Sequence, residues 1–344
     1  MRLAELYQRR CFRLVDAPSI PDPGPGEIQA RVTAVGICGS DLHNFSDGGV
    51  GDTPCVYPMV IGHEPAGVVS KIGPGVTGWS IGDPAVLEPA HYCYHCEFCL
   101  SGHHNVCANI RFLSTVGEPG FFREFVNLPA HNLLPLPANL SAAEGTIVEP
   151  LAVIVHSLNL AVIRPGETAA VFGAGPIGLL TIAALKLSGI TRLWAVEPVA
   201  ERRELALSLG ADVAIDPAQT DPVAEILADT GRRGVDVSFD CAAKGDTTNQ
   251  CLYVTRNAGR VVVTGIAVES FVSFDLNPMR RKELRILNVR RSNHDSETAL
   301  KMMSAQPQRF APILTHSKPL SEIQSAFEQL EAYQGGAAKI IITP

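Results

Sequence analysis

The stretch Glu167-Thr-Ala-Ala-Val-Phe172-Gly173-Ala-Gly-Pro-Ile-Gly178 decides the fold class of the second half of this sequence. Its first six residues predict a strand, and the glycine-rich run that follows at once precedes a helix expected to reach about Ser188. Such glycines allow a tight turn and close backbone approach, so that a pyrophosphate can lie on the helix N-terminus. A lone G-x-G-x-x-G is weak evidence, but this one lies between a strand and a helix. The candidate cofactor-binding residues of this loop are Gly173, Gly175, Pro176, Ile177 and Gly178.

The next predicted strand, 192–197, ends in a carboxylate that could bind the ribose of a dinucleotide. Glu197 lies nineteen residues after Gly178 and is positioned to accept hydrogen bonds from adenosine ribose hydroxyls. It would repel a 2′-phosphate, so the sequence predicts NAD rather than NADP. Arg202 joins the candidate cofactor residues because it follows closely and could soften that exclusion; alternatively, Arg202 and Arg203 line a solvated helix face.

Strands and helices continue to alternate beyond Glu197. We predict strands at 212–215, 235–240, 260–265 and 284–289, and helices at 201–209, 221–230 and 246–257. Six strands with interleaved helices indicate α/β architecture with a doubly wound parallel sheet. The tail has predicted helices near 292–304 and 321–333 and a strand at 338–342, which is too little for a separate domain. We therefore expect a discontinuous catalytic domain, 1–152 and 290–344, with a nucleotide-binding domain, 153–289, inserted in it.

Length and composition are consistent with two globular domains. The chain has 344 residues, of which 46% are apolar and 18% charged, and its net charge of −7 argues against a nucleic-acid binder. Residues 1 to about 160 show short apolar alternations broken by Pro and Gly, which indicates a β-rich barrel or curled sheet. There is no apolar run of bilayer length and no signal-like N-terminus, so we expect a cytoplasmic protein without a membrane partner.

Four cysteines follow the spacing C-x2-C-x2-C-x7-C, which is typical of a metal site. Four thiolates close a tetrahedral zinc site and leave no open position, so this pattern predicts a structural zinc. A pair of disulfides is disfavoured in a cytoplasmic protein with nine cysteines, and the usual Fe–S run has a shorter last gap followed by Pro. We interpret the neighbouring His91, His95, His103 and His104 as the surface of this lobe. The ligands are Cys93, Cys96, Cys99 and Cys107.

A fifth cysteine opens Cys38-Gly-Ser-Asp-Leu-His43, after a strand predicted from Gln29 to Gly36. Gly39 permits a turn, and Ser40 or Asp41 could be the N-cap of a short helix. On that helix Ser40 and His43 would share a face, because they are three residues apart. The stretch suits a metal ligand beside a proton path, although a lone cysteine is more often a packed core residue.

Two further segments carry candidate ligands. In Gly62-His63-Glu64 a histidine has a carboxylate neighbour, which suits a metal site, but in isolation we prefer a surface turn with ordinary polar residues. Glu149 lies in an otherwise apolar segment, 145–151, and a buried carboxylate must be paired or bound to a metal. The alternative is a glutamate at a helix terminus or on the surface.

In chain order these motifs resemble the zinc-dependent medium-chain alcohol and polyol dehydrogenases. The resemblance covers essentially the whole chain and implies a GroES-like catalytic domain with a Rossmann nucleotide-binding domain. It also implies a catalytic zinc with Cys38 and His63 as ligands. Glu149 stands where the classical alcohol dehydrogenases have a second cysteine, which indicates the sorbitol and threonine dehydrogenase branch. In that branch Glu64 or Glu149 approaches the metal.

The resemblance implies NAD-dependent oxidation of a secondary alcohol or polyol, a small-molecule substrate and a homo-oligomer, often a tetramer. Ser40 would take the proton of the substrate hydroxyl and pass it through the nicotinamide ribose to His43, which would release it to solvent. One alternative is a catalytically silent redox sensor or structural protein on the same fold, which need not keep Ser40 and His43. Another is a zinc-ribbon nucleic-acid binder, which the acidic charge disfavours.

Overall fold

The computed structural model describes residues 1–269 and 271–344, which form two compact units. One unit combines Met1–Glu149 with Ser296–Pro344, and the other is Pro150–Asp295. Among the described residues, none of the helices combines the length and the hydropathy that crossing a bilayer requires.

The N-terminal segment of the first unit is rich in short strands, as its composition predicts. Its strands are β1 Arg2–Gln8, β2 Cys11–Asp16, β3 Glu27–Gly36, β4 Gly49–Val50, β5 Thr53–Pro54, β6 Glu64–Ile72, β7 Pro84–Leu87, β8 Ala90–His91, β9 Arg111–Phe112, β10 Phe125–Pro129 and β11 Leu133–Pro135. Its helices are α1 Gly39–Ser46, α2 Glu97–Leu100 and α3 Ala142–Gly145.

Strands and helices then alternate through the second unit. The helices are α4 Val148–Ala161, whose first two residues belong to the first unit, α5 Pro176–Leu187, α6 Ala200–Leu209, α7 Pro222–Asp229, α8 Thr247–Val254 and α9 Leu276–Arg281. The strands are β12 Thr168–Phe172, β13 Arg192–Val196, β14 Val213–Ile215, β15 Val235–Asp240, β16 Thr255–Val263 and β17 Arg285–Asn288.

The C-terminal segment supplies two strands to the sheet of the first unit. Its elements are α10 Ser296–Ala305, α11 Pro307–Phe310, β18 Leu314–Pro319, α12 Ile323–Glu331 and β19 Lys339–Thr343. The seven-stranded sheet has the order β11-β7-β6-β3-β19-β18, and β10 also pairs with β3. The long strand β3 therefore has three neighbours, which is compatible with the predicted curled sheet.

The pairing of β3 with β6 positions the candidate ligands of the first unit. The two strands are antiparallel, and Gly36 at the end of β3 pairs with Glu64 at the start of β6. Cys38, just after β3, and His63, just before β6, therefore come together at one end of the pair. Helix α1 is anchored there by Phe45, a fully buried side chain whose ring lies 5.2 Å from that of Phe327.

The second unit has the predicted doubly wound sheet. Its six strands are all parallel in the order β14-β13-β12-β15-β16-β17. Counted along the chain, this is the order 3-2-1-4-5-6 of a Rossmann fold. Gly173 follows β12 with φ of +91°, and a Cβ on Gly178 would lie 1.8 Å from the Gly173 carbonyl oxygen. Neither position can hold a larger side chain without displacing the loop.

The structure differs from the sequence prediction in a few elements. Helix α9 and strand β18 were not predicted, and the helix predicted at 246–257 ends at Val254. The hydroxyl of Thr255 donates to the carbonyl of Cys251 (2.7 Å), which satisfies a terminal carbonyl of α8 and lets β16 begin at Thr255.

Candidate active site and metal centres

The four cysteines of the predicted lobe converge on one point. The ligand atoms of Cys93, Cys96, Cys99 and Cys107 all lie within 4.8 Å of one another. The Cys93–Cys107 Sγ distance is 3.4 Å, Cys96–Cys107 is 3.9 Å and Cys93–Cys99 is 4.0 Å. A tetrahedron with Zn–S bonds of about 2.3 Å has edges of about 3.8 Å, so this cluster fits zinc.

Backbone N–H groups of the same segment point at the sulfurs. Cys96 N–H donates to Cys93 Sγ, and Cys93 and Asn109 N–H both donate to Cys107 Sγ, each at 3.4 Å. Chiefly through the backbone N–H of His95, hydrogen bonds lower the pKa of Cys93 to about 5, whereas burial raises that of Cys99 to about 12. All nine cysteines are free thiols, so the lobe is not closed by disulfides.

A second cluster forms where β3 ends and β6 begins. The ligand atoms of Cys38, His63 and Glu64 lie within 4.8 Å of one another, and both His63 and Glu64 are buried. Glu149, half-buried in the first turn of α4, is not part of that triplet. It is nevertheless within electrostatic range of His63 and Glu64. A thiol, an imidazole and a carboxylate form a ligand set that zinc accepts.

Asp41 connects the two protein segments of this cluster. Its fully buried carboxylate accepts hydrogen bonds from the N–H of Cys38 (3.1 Å) and of Gly62 (3.1 Å). Asp41 Oδ1 also lies 3.4 Å from His63 Nδ1, which leaves Nε2 of that imidazole for a metal. The N-cap of α1 is Cys38, with Asp41 at the third helical position, so the expectation that Ser40 or Asp41 is the cap was wrong.

Lys339, from β19, holds the other side of the cluster. Its buried ammonium forms an ion pair with Glu64 Oε2 and donates to the carbonyl of Ile37 (3.1 Å), next to Cys38. Within the described residues, Glu64 Oε1 is buried and has no hydrogen-bond partner. A buried carboxylate oxygen without a donor is the kind of atom that a metal ion would satisfy.

The charges of this cluster favour a cation. Burial lowers the pKa of His63, but the negative charges of Asp41 and Cys38 outweigh it, so the pKa lies well above its usual range. Burial raises the pKa of Glu149 to about 7; His63 opposes this rise and Glu64 adds to it. A site that stabilises positive charge on an imidazole also stabilises a metal ion in its place.

Ser40 and His43 both lie on α1, as the sequence predicts, and both are half-buried. The Nδ1 atom of His43 is 2.7 Å from the carboxylate of Asp47, one turn later on the helix. Asp41 therefore faces His63, and it is Asp47 that orients His43.

In the second unit, Glu197 lies against the glycine-rich loop. Its buried carboxylate accepts hydrogen bonds from the N–H of Ala174 (2.7 Å) and of Val199 (3.0 Å). Arg202 is buried in α6, so it does not line a solvated face. The guanidinium of Arg203 donates to the Glu197 carbonyl (2.8 Å) and pairs with Asp216 (3.2 Å).

The interactions of Asp41 with His63 and of Lys339 with Glu64 were missed by sequence reasoning. A signal for the interaction of Lys339 with Glu64 was present in the sequence, because Lys339 is the one charged residue in the otherwise apolar strand predicted at 338–342. A buried lysine needs a charged partner, but only the topology identifies which one.

Two family models match the chain. The alcohol dehydrogenase GroES-like domain matches residues 24–138, and the zinc-binding dehydrogenase model matches residues 176–305. The first contains Cys38, His63 and the cysteine lobe; the second begins inside the glycine-rich loop.

Individual proteins are similar over nearly the whole chain. A sorbitol dehydrogenase of Bombyx mori is 33% identical over 346 residues, covering 98% of this chain and 97% of that protein. The crystal structure of 2R,3R-butanediol dehydrogenase from Bacillus subtilis has a TM-score of 0.89 and 31% identity, covering 100% of this chain and 99% of that one. The crystal structure of a candidate zinc-binding dehydrogenase from Sinorhizobium meliloti, bound to NADP, has a TM-score of 0.92 and 27% identity. The match covers 100% of this chain and 99% of that one.

Proposed function

Because the chain belongs to the zinc-dependent medium-chain alcohol and polyol dehydrogenases, we propose that it transfers a hydride between a secondary alcohol or polyol and NAD. Family membership makes it an oxidoreductase of alcohols or polyols. The observation that carries the proposal is that the ligand atoms of Cys38, His63 and Glu64 lie close together. Ser40 follows Cys38 by two positions in the chain.

The proposed zinc ligands are Cys38, His63 and one carboxylate, Glu64 or Glu149, while the four lobe cysteines hold a structural zinc. When bound at the cluster of Cys38 and His63, zinc acts as a Lewis acid that lowers the pKa of a substrate hydroxyl. Lys339 neutralises Glu64, so the protein holds that carboxylate as an ion pair when it is not a ligand. Asp41 fixes the tautomer of His63 and its orientation.

Ser40 and His43 are the proposed proton path. The Ser40 hydroxyl accepts the substrate proton and donates its own onward. The bond between His43 Nδ1 and Asp47 leaves Nε2 as the proton acceptor and stabilises the imidazolium that forms. The carbon–hydrogen bond electron pair goes to the nicotinamide, so the balanced products are a ketone, NADH and one proton.

Glu197 supports the assignment of NAD as the cofactor. Two backbone N–H groups hold its carboxylate beside the glycine-rich loop, where it can accept bonds from ribose hydroxyls and repel a 2′-phosphate. Arg203 is already paired with Asp216, and we assign a cofactor contact to Arg202. We also propose a homo-oligomer, because Val268, Phe271 and Leu276, in the chain segment that precedes the edge strand β17, are exposed apolar side chains.

The proposal is tested by following NADH absorbance with a panel of polyols and secondary alcohols, using NAD and NADP in parallel. We expect at least one polyol to be oxidised with NAD and the rate to fall when zinc is chelated. Turnover that survives complete zinc removal would overturn the metal assignment. Light scattering on the same sample checks the oligomer.

The cofactor preference has its own variant. Glu197→Ala should reduce the ratio of NAD to NADP turnover by about tenfold, because one repulsive charge is removed. The matched control is Glu201→Ala, which removes another acidic side chain of α6 and should leave the ratio unchanged. An unchanged ratio in Glu197→Ala would mean that another residue discriminates between NAD and NADP.

A further inference from the structure

Ser114 has a backbone conformation that a residue with a side chain rarely adopts. Its φ is +91°, in the left-handed region, and the residue is buried in the turn that follows β9. Glycine enters this region without steric cost, whereas a Cβ makes the conformation strained. A buried serine at such a position indicates that its hydroxyl has a role that glycine could not perform.

Backbone hydrogen bonds hold this turn in place. The N–H of Ser114 donates to the carbonyl of Glu118 (2.8 Å), and the N–H of Leu113 donates to the carbonyl of Pro89 (3.0 Å). Strand β9, immediately before the turn, is paired with β8. These bonds fix the backbone of Ser114, so its hydroxyl is directed to one place in the first unit.

That place is the carboxylate of Asp41. The Ser114 hydroxyl donates to Asp41 Oδ1 at 3.3 Å. The same oxygen accepts the N–H of Gly62 (3.1 Å) and lies 3.4 Å from Nδ1 of His63. Three donors therefore share the one carboxylate oxygen that faces His63.

This sharing weakens the action of Asp41 on His63. A carboxylate oxygen has two lone pairs, so a third donor competes with the other two. All three side chains are buried, where the electrostatic effect of a hydrogen bond is larger than in water. The N–H groups of Cys38 and Gly62 already orient the carboxylate, one at each oxygen. Without the Ser114 hydroxyl, Asp41 would keep its orientation and present more negative charge to His63.

Given the zinc site of the proposed function, we infer that Ser114 is a positioning residue that acts on His63 through Asp41 and lowers the donor strength of that imidazole towards zinc. A carboxylate hydrogen-bonded to a ligating histidine makes the imidazole a stronger donor, and a competing hydroxyl reduces this effect. The serine therefore lowers the zinc affinity of the cluster of Cys38 and His63. A bound zinc that receives less electron density is the stronger Lewis acid.

The test measures zinc affinity at this cluster by competition with a chelator on the full chain, with the lobe zinc as the internal reference. Ser114→Gly removes the hydroxyl and the strain of the Cβ, whereas Ser114→Ala removes the hydroxyl but keeps the Cβ. We expect both variants to bind this zinc about threefold to tenfold more tightly than wild type. Turnover at saturating zinc should fall a few-fold. Tm should be higher in Ser114→Gly than in Ser114→Ala.

Two comparisons separate this role from a general effect on the turn. Thr115→Val removes the neighbouring hydroxyl, which donates to the carbonyl of Phe112 (2.7 Å), and should leave zinc affinity unchanged. Because Ser114 acts through the charge of Asp41, Ser114→Gly should change zinc affinity much less in an Asp41→Asn background.

Unchanged or weaker zinc binding in the two Ser114 variants would overturn the inference, as would an equal gain in the Asp41→Asn background. If Ser114→Ala does not fold, Ser114→Gly decides the question, because it relieves the strained conformation. A wild-type chain that binds zinc only at the lobe would refute the proposed function, and the role of Ser114 with it. Two zincs in wild type and unchanged affinity in Ser114→Gly would refute the role of Ser114 alone.

Discussion

The two cysteine-containing clusters of the first unit differ in how the chain assembles them. The lobe takes all four ligands from residues 93–107 and surrounds them with N–H groups of the same segment. The other cluster joins Cys38 to His63, 25 positions later, and combines three kinds of ligand. Its neighbours are charged side chains, among them Lys339 from the far end of the chain.

This difference separates a closed site from one that can do chemistry. Four thiolates leave a tetrahedral metal without a free position, so the lobe can only hold the fold. A mixed set that includes a carboxylate already paired with lysine can exchange one ligand for a substrate. The proposed proton carriers, Ser40 and His43, lie on helix α1, whose N-cap is Cys38 of the second cluster.

The largest effect is expected from Cys99→Ala. Removing this buried ligand leaves three, so the lobe should lose its zinc and the free energy of unfolding should fall by about 5 kcal/mol or more, a part of the roughly 10–16 kcal/mol that structural zinc binding supplies to folding. Metal analysis should give one zinc per chain instead of two, with a lower Tm. Cys11→Ala, a half-buried cysteine outside both clusters, should retain both metals. An unchanged Tm in Cys99→Ala would mean that the lobe does not stabilise the fold.

The same contrast explains what could be predicted from sequence. The lobe and the glycine-rich loop are local: their ligands or N–H groups lie within fifteen residues, so spacing alone carries the geometry. Residues 235–240 were predicted as a strand with the bounds that the structure has, because that run is buried on both faces. Long-range partners are different. The Gly36–Glu64 pair depends on strand register, which no local pattern specifies.

Cys38→Ala is the counterpart in the second cluster. Turnover should fall by about 10³-fold or more because the proposed Lewis acid loses a ligand, corresponding to at least about 4 kcal/mol in the barrier. One zinc per chain should remain, held by the lobe, and Tm should change little. The control is Cys55→Ala, since Cys55 is half-buried and lies outside both clusters. Loss of both metals would show that the two clusters are not independent.

Ser40→Ala separates proton transfer from metal binding. Turnover should fall by about 10²-fold, a typical contribution of a positioned proton carrier, whereas both zincs and NAD binding should be retained. The Ser46 hydroxyl, on the same helix, donates to the Leu42 carbonyl (2.9 Å) and interacts with Asp47, so Ser46→Ala should lower turnover much less than Ser40→Ala. If Ser40→Ala also lost zinc, its role would be structural and the proton path would have to start elsewhere.

Asp41 and Asp47 make the finest comparison, because both belong to the α1 region and each faces one histidine. Asp41→Asn keeps the shape but removes the charge beside His63, so zinc affinity at the second cluster should fall by about 10-fold to 100-fold. Asp47→Asn changes only the partner of His43, and should lower turnover a few-fold with zinc affinity unchanged.

Zinc affinity is measured by competition with a chelator, and turnover at saturating zinc is measured on the same samples. The lobe provides an internal reference, since its four sulfurs contact neither aspartate and should hold their metal equally in both variants. If Asp41→Asn and Asp47→Asn changed the same quantity, the two histidines would not have separate tasks. In that case Asp41 would not act specifically on His63 as a metal ligand, nor Asp47 specifically on His43 as a proton carrier.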